Sequence, residues 1–231
     1  MPLFFIDYWY LVLVVPALIL TAVAQFKVHS TFKKYSQVGT RSGMSGAEAS
    51  MTVQRQNGIQ VPVEMTHGNL SDHYDPRSNV IRLSETVYDV RSIAAIGVAA
   101  HETGHALQYA QGYGPIKVRN AIVPVTQFAS GASFYLVLLG LLLFEPLAYL
   151  GVALFGFSVV FQLITLPVEF NASTRAVRAL REGGVLTEEE LDGAKRVLTA
   201  AAMTYVAALF LSLMSFLRLL IIVLGRGRRN N

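Results

Sequence analysis

Cysteine is absent from the 231-residue chain, and charged residues make up only 15% of it. Without cysteine the protein has no disulfide bonds, and any metal ligands must be histidine or carboxylate side chains. Soluble domains carry about 25% charged residues, so the shortage of charge excludes an ordinary soluble protein and indicates a membrane protein. The net charge of +4 does not indicate a nucleic-acid partner, because the basic residues flank apolar segments.

Four apolar segments are each long enough to cross a lipid bilayer, which takes about 20 residues. The first is predicted to be a retained anchor with its N-terminus outside, because Asp7 is the only charged residue before it and basic residues follow it. Arg218 lies about two turns before the end of the fourth, where its long side chain is predicted to snorkel toward water. The segments cover approximately 8–26, 122–144, 147–168 and 200–224.

The polar segment after the first span carries signals for helices and strands. A capping-box pattern at 45–48 opens a helix. Residues 60–66 alternate between polar and apolar, which predicts a strand, and Pro62 within it favours an edge position. Residues 80–83 predict a second short strand. Another capping box at 187–190 opens an amphipathic helix that continues into the fourth span.

The most specific motif is H-E-x-x-H, which reads His-Glu-Thr-Gly-His at residues 101–105. Ser92 is the predicted N-cap of an alanine-rich helix that contains the motif. Residues four apart share one face of a helix, so the imidazoles of His101 and His105 can bind one zinc ion. Glu102 lies beside them, where it can accept a proton from an attacking water. The pattern is therefore typical of a zinc peptidase.

A catalytic zinc ion usually has three protein ligands, so one ligand is needed besides the two histidines. Glu169 is the leading candidate, because a carboxylate at the end of an apolar segment is costly unless it is paired or bound to a metal. An anchor residue at the membrane interface is the alternative role for Glu169. Residues 72–75 are also predicted to stabilise their loop through side-chain to backbone hydrogen bonds. The remaining ligand candidates are His29, His67, His73, Asp72, Asp75, Glu85 and Asp89.

The chain resembles the YugP-like membrane zinc metallopeptidases over nearly its whole length. The resemblance rests on five segments, 72–76, 82–84, 101–105, 169–173 and 204–208. The pairing of the two metal motifs is also similar to HtpX and the CAAX prenyl proteases, which are of the gluzincin type. In those relatives the glutamate of the later motif is the third zinc ligand, which implies that Glu169 is the third ligand here. An aspartate four residues later orients a ligating histidine in those relatives, and Ser173 stands at that position here.

The predicted function is hydrolysis of peptide bonds with one Zn²⁺ per chain and Glu102 as the general base. The Ser173 hydroxyl can hold an imidazole N–H, although less strongly than a carboxylate would. Tyr205 and His73 are candidates to stabilise the transition state, by residue type alone. An extended substrate could pair with an edge strand made by Val80, Ile81, Arg82 and Leu83. The alternative is that these residues pack as an ordinary strand of the sheet.

The sequence leaves several alternatives open. The chain could bind zinc without cleaving, as a membrane scaffold or partner protein, although the intact Glu102 argues against this function. A small transporter or lipid-binding bundle is disfavoured, because few ionisable groups lie inside the spans. Two imidazoles and one carboxylate would also suit another divalent metal. The expected partners are a protein or peptide substrate, membrane lipid, and a larger membrane complex or a homo-oligomer, without nucleic acid.

The predicted fold is a mainly α integral membrane protein with about four transmembrane helices. A small α+β zincin-like peptidase domain carries a short sheet and the H-E-x-x-H helix. The predicted parts are an N-terminal transmembrane helix (1–26), a peptidase segment (27–119), a transmembrane hairpin (120–168), a third-ligand and amphipathic segment (169–199), and a C-terminal transmembrane helix with a basic tail (200–231).

The basic residues predict how the chain crosses a prokaryotic plasma membrane. The positive-inside rule places the peptidase and third-ligand segments, and hence the active site, on the cytoplasmic side. The terminal tail does not fit this rule, because four full spans place Arg226, Arg228 and Arg229 outside. The tail would lie inside if one of the apolar segments did not cross the membrane fully. The residues on the predicted inner side are Lys27, Lys33, Lys34, Arg41, Lys117, Arg119, Arg175, Arg178, Arg181, Lys195 and Arg196.

Overall fold

A computed structural model describes residues 6–227 as a mainly α protein with one small sheet. A short π-helix, Tyr10–Val14, leads into the first α-helix. The α-helices are α1 (Val15–Ser36), α2 (Gly46–Gln56), α3 (Ile93–Ala110), α4 (Gly114–Leu142), α5 (Glu145–Glu182) and α6 (Glu188–Gly227). The strands are β1 (Val63–Thr66), β2 (His73–Asp75) and β3 (Val80–Ser84).

Among the described residues, four helices are long and apolar enough to cross a membrane, namely α1 together with its π-helical start, α4, α5 and α6. This finding confirms the predicted mainly α membrane protein. Only two residues separate α4 from α5, so a tight turn joins these two helices. The helices extend well beyond the apolar segments, because polar residues with good helix propensity continue them. For example, α5 runs 14 residues past the predicted end of the third span at Val168.

The described residues divide into two compact units. One unit contains the residues up to Ala24, Lys117–Leu166 and the residues from Thr204 onward. The other contains Gln25–Ile116 and Pro167–Met203. The sheet, α2, α3 and the second half of α5 all belong to this second unit. The H-E-x-x-H motif and Glu169 therefore lie in the same unit.

Within the first unit, Arg218 forms an ion pair with Asp7. Its Nη2 lies 2.6 Å from Oδ2 of Asp7, and the Arg218 side chain is only 14% exposed. The guanidinium also lies over the ring of Tyr10, 5.2 Å from the ring centroid. A nearby carboxylate and an aromatic face therefore solvate the charge locally, and the predicted snorkelling toward water stays a prediction. The side chains of the basic tail, 226–229, lie outside the described residues.

The sheet has the order β1-β3-β2, in which β1 pairs with β3 in parallel and β2 pairs with β3 in antiparallel fashion. The edge position predicted from Pro62 is confirmed, since β1 is an outer strand. The prediction that residues 80–83 offer an edge to substrate is wrong. Both sides of β3 are already occupied by neighbouring strands, so its backbone groups have no room for another chain. The free edges belong to β1 and β2.

Side-chain caps fix the starts of the helices where the sequence predicts them. Ser45 and Glu48 form a complete capping box at α2, and Ser92 accepts a hydrogen bond from Ala95 N at α3. At α6, Thr187 N donates to Glu190 Oε2 over 2.8 Å, and Glu190 N donates to Thr187 Oγ1 over 3.3 Å. These predictions are confirmed because each cap satisfies backbone N–H groups that have no partner inside the helix.

The loop around β2 is held by carboxylates, as predicted. Asp72 Oδ1 accepts a hydrogen bond from Ser84 N over 2.7 Å. Asp75 accepts hydrogen bonds from the Ser78 hydroxyl and from Arg77 N, and these bonds hold the pKa of Asp75 well below its ordinary value. Both aspartates are therefore used to shape the loop.

Helix α3 is almost entirely buried and packs very closely against α5. A Cβ atom added at Gly104 would lie 2.6 Å from the carbonyl oxygen of Ala172. A Cβ atom added at Gly97 of the same helix would lie 3.5 Å from the Cβ of Ala194, which is an ordinary van der Waals distance. Of these two glycines of α3, only Gly104 lies where there is no room for a side chain.

This difference predicts opposite effects of two alanine substitutions. We expect Gly104→Ala to lower the free energy of unfolding by about 1–3 kcal/mol, because it overpacks the contact with α5. We expect Gly97→Ala to be neutral or stabilising by up to about 1 kcal/mol, through helix propensity. Unfolding of both variants in the same detergent measures the effect. A Gly104→Ala protein as stable as the wild type would contradict the close packing of α3 on α5.

Candidate metal centre

Three potential metal ligands from two helices converge in the second unit. His101 Nε2 and His105 Nε2 lie 3.3 Å and 3.5 Å from Oε2 of Glu169. The ligand atoms of the three residues all lie within 4.8 Å of one another. The four-residue spacing on α3 puts both imidazoles on one face, and α5 supplies the carboxylate. Two imidazole nitrogens and one carboxylate oxygen are a donor set that fits zinc.

Gly104, between the two histidines, explains how α5 comes close enough to supply Glu169. Its missing Cβ leaves room for the backbone of Ala172, which lies one turn after Glu169 on α5. The same approach brings Ser173 next to α3. The glycine inside the H-E-x-x-H motif thus has a packing role, which sequence reasoning did not identify.

The cluster is largely buried. Glu169 is only 2% exposed, His105 is 9% exposed, and His101 is partly exposed. Burial disfavours the protonated form of His105, but its hydrogen bond with Glu169 and the nearby Glu102 carboxylate outweigh burial and raise the pKa of His105 above its ordinary value. The surroundings therefore favour positive charge at this position, as a site for a cation requires.

A polar side chain contacts the Nδ1 atom of each histidine. Ser173 Oγ lies 3.1 Å from His101 Nδ1, which is the contact that the family resemblance implied. Gln108 Oε1 lies 2.9 Å from His105 Nδ1. Sequence reasoning missed Gln108. The available signal was an uncharged polar residue three positions after His105, on the buried face of an otherwise apolar helix.

Gln108 also connects α3 with the helix that carries Glu169. Its Nε2 donates hydrogen bonds to the carbonyl oxygen of Val168 over 2.8 Å and to Oδ1 of Asn171 over 3.0 Å. Arg175 Nε donates to the same Asn171 oxygen over 2.7 Å. Asn171 and Arg175 were missed as well, because their contact with Gln108 depends on how two distant helices pack.

Glu102 points toward β2. It is 8% exposed, and its Oε2 accepts a hydrogen bond from the backbone N–H of Tyr74 over 3.0 Å. The ring of Tyr74 packs against that of Tyr109, one turn beyond His105, with centroids 5.5 Å apart. A backbone donor on the neighbouring strand therefore holds the Glu102 carboxylate. No side-chain motif could have indicated this contact.

The other sequence candidates lie apart from the cluster or have another partner. His73 is exposed, and its Nδ1 contacts the carbonyl oxygen of Ser71 over 2.7 Å. His67 is also exposed and contacts Glu85 over 2.7 Å. Tyr205 belongs to the first unit, so the predicted transition-state roles of Tyr205 and His73 stay predictions.

Comparison with known proteins agrees with this geometry. A protein family described as "Putative neutral zinc metallopeptidase" matches residues 10–224. A Bacillus subtilis (strain 168) protein described as "Putative membrane protease YugP" is 50% identical over 224 residues, which cover 96% of this chain and 99% of that relative. No solved structure matches the chain. The resemblance drawn from the motifs is confirmed, and because the match covers nearly all of its length, the chain belongs to this zinc metallopeptidase family.

Proposed function

We propose that the protein is a membrane-embedded zinc metalloendopeptidase that hydrolyses proteins at the cytoplasmic face of the membrane. The observation that carries the proposal is the convergence of His101, His105 and Glu169, with Glu102 held beside them. A helix in a merely structural role has no need of two histidines, a buried carboxylate and a second anchored carboxylate in one place. Buried ionisable groups of this kind are typical of functional sites.

The chain's own residues supply the metal site and the base. His101, His105 and Glu169 would hold one zinc ion, which when bound would lower the pKa of water and polarise the scissile carbonyl group. The Tyr74 N–H fixes one oxygen of Glu102, Oε2, so the other oxygen, Oε1, can exchange a proton. Water attacks the carbonyl carbon while Glu102 accepts a proton from it. As the C–N bond breaks, Glu102 delivers that proton to the leaving nitrogen.

The free edge of β2 is the position that suits an extended substrate. In β3, the backbone N–H of Ile81 points toward β1, where it donates to the carbonyl oxygen of Pro62. Ile81 lies opposite Tyr74 of β2, so these two residues form a pair that is not joined by backbone hydrogen bonds. The backbone groups of Tyr74 therefore point away from β3, and its N–H reaches Glu102. A peptide aligned along this edge would pass Glu102 and would pair through the outward carbonyl oxygen of Tyr74, because the Tyr74 N–H is held by Glu102.

Metal analysis tests the ligand set. We expect the purified wild-type protein to contain about one zinc ion per chain, and Glu169→Gln to contain much less because a ligand charge is lost. The control is His67→Ala, which removes an exposed histidine and should keep the zinc content. Wild-type zinc content in Glu169→Gln would show that Glu169 is not a ligand.

The role of Glu102 is tested separately. We expect Glu102→Gln to keep zinc and the fold but to lower the rate of casein hydrolysis by about 10²–10⁴-fold, because only the proton acceptor is lost. Glu85→Gln, which changes an exposed carboxylate, should retain wild-type activity. A Glu102→Gln protein within a few-fold of the wild type would rule out Glu102 as the base. Zinc-loaded wild type that cleaves no protein substrate would favour the non-cleaving scaffold instead.

The proposed orientation can be measured because the chain has no cysteine. Ser42→Cys and Glu182→Cys place single thiols at exposed positions on either side of α3 in the sequence. With the site in the cytoplasm, a membrane-impermeant maleimide should label neither thiol in intact cells and both after the membrane is opened. Labelling of both from outside would reverse the orientation. Labelling on opposite sides would contradict a site built from both segments.

A further inference from the structure

Gln108 is a fully buried amide whose orientation is fixed by its partners. The carbonyl oxygen of Val168 can only accept a hydrogen bond, so the Gln108 atom that lies 2.8 Å from it must be the nitrogen. This requirement identifies the two ends of the amide by chemistry alone. The opposite end, the Oε1 oxygen, therefore faces His105.

Asn171 gives an independent reason for the same orientation. The guanidinium of Arg175 can only donate, so the Asn171 atom 2.7 Å from its Nε must be the oxygen. That oxygen can accept from Gln108 only if the Gln108 nitrogen faces it, at 3.0 Å. Arg175 is anchored in turn by a hydrogen bond to Gln111 and by the ring of Tyr113. Two separate acceptors on α5 thus hold the Gln108 amide in one orientation.

The fixed amide determines which nitrogen of His105 carries hydrogen. An amide oxygen only accepts, so the His105 Nδ1 atom 2.9 Å away must be the donor. In a neutral imidazole the proton on Nδ1 leaves the lone pair on Nε2. His105 Nε2 is the atom that faces Glu169, 3.5 Å away. When the ring is neutral, the lone pair is therefore directed at the metal centre, where a bound cation would take the place of the Nε2 proton that Glu169 accepts in the metal-free protein.

His101 lacks an equivalent constraint. Its Nδ1 contacts Ser173 Oγ over 3.1 Å, and a hydroxyl can either donate or accept. The serine is compatible with both neutral forms of the ring. The Nδ1 atoms of the two histidines are therefore held differently, and of their two partners only Gln108 enforces one form.

We propose that Gln108 is a positioning residue that commits His105 to its Nδ1–H form and so to metal binding through Nε2. Asn171 and Arg175 hold Gln108 in the orientation that this task requires. The inference rests on the proposed zinc site, since it assigns the partner of one of its ligands. Partners of this kind orient the ring and raise its basicity, and losing one typically weakens metal binding about 10–100-fold.

Two substitutions at the same position test the proposal in the purified full-length protein. Gln108→Met keeps the approximate size but has no oxygen, and we expect zinc affinity, measured by chelator competition, to fall about 10–100-fold. Gln108→Glu keeps an oxygen facing His105 but loses the amide N–H groups, and we expect affinity at or above that of the wild type. Gln60→Met is the matched control, because it makes the same change at an exposed glutamine, and it should bind zinc as the wild type does.

The contrast between the variants separates hydrogen bonding from packing. Gln108→Glu that binds zinc as weakly as Gln108→Met, or Gln108→Met that binds like the wild type, would overturn the proposal. If Gln108→Met does not fold, the zinc affinity of Gln108→Glu tests the proposal by itself. Affinity below that of the wild type would then overturn it.

A second readout does not depend on zinc. Nitrogen NMR of ¹⁵N-histidine in metal-free Glu169→Ala protein, which lacks the carboxylate opposite Nε2, should show neutral His105 as the Nδ1–H form, and adding Gln108→Met should remove this preference. Wild-type protein that binds no zinc, with this form present in the Glu169→Ala variant, would refute the proposed metal centre while supporting the role of Gln108. The Nε2–H form in the Glu169→Ala variant would overturn that role.

Discussion

The close contact between α3 and α5 at Gly104 is the constraint on which the rest of the site depends. Without a Cβ at Gly104, the backbone of α5 at Ala172 approaches α3 more closely than a residue with a Cβ would allow. Glu169, Asn171 and Ser173 then lie within hydrogen-bonding reach of side chains on α3. One glycine therefore positions a candidate ligand and two supporting side chains at once.

The opposite face of α3 is held by buried polar contacts as well as by apolar packing. Thr103, inside the motif, shares a 2.7 Å hydrogen bond with Ser50 of α2, and Gln54 donates to the same serine. Gln54 then accepts from Val61 N just before β1. Buried polar groups are costly unless each has a partner, and here the partners lie on three different elements. The network fixes the rotation of α3 about its axis, and this rotation determines where both histidines point.

Local signals and long-range packing explain which features could be predicted from the sequence. Capping boxes, the apolar spans and the spacing of His101 and His105 are local, because each needs only residues within a few turns. The strand order could not be predicted, since short strands carry no signal for which edge is free. The ion pair of Arg218 with Asp7 and the contact of Gln108 with Val168 join residues far apart in the chain. They depend on how whole helices pack.

The hydrogen bond from Tyr74 to Glu102 makes the proposed base sensitive to strand slippage. In β2, which has only three residues, backbone groups alternate between facing β3 and facing outward. A slip of β2 by one residue would turn its side chains to the opposite faces and would move the Tyr74 N–H away from Glu102. A slip by two residues would put Asp72 or Pro76 in the place of Tyr74, and proline has no N–H to donate. The loop before β2 should therefore tolerate inserted residues only where the pairing of β2 with β3 is preserved. Correct pairing of β2 with β3 is thus a condition for placing the Tyr74 N–H next to Glu102.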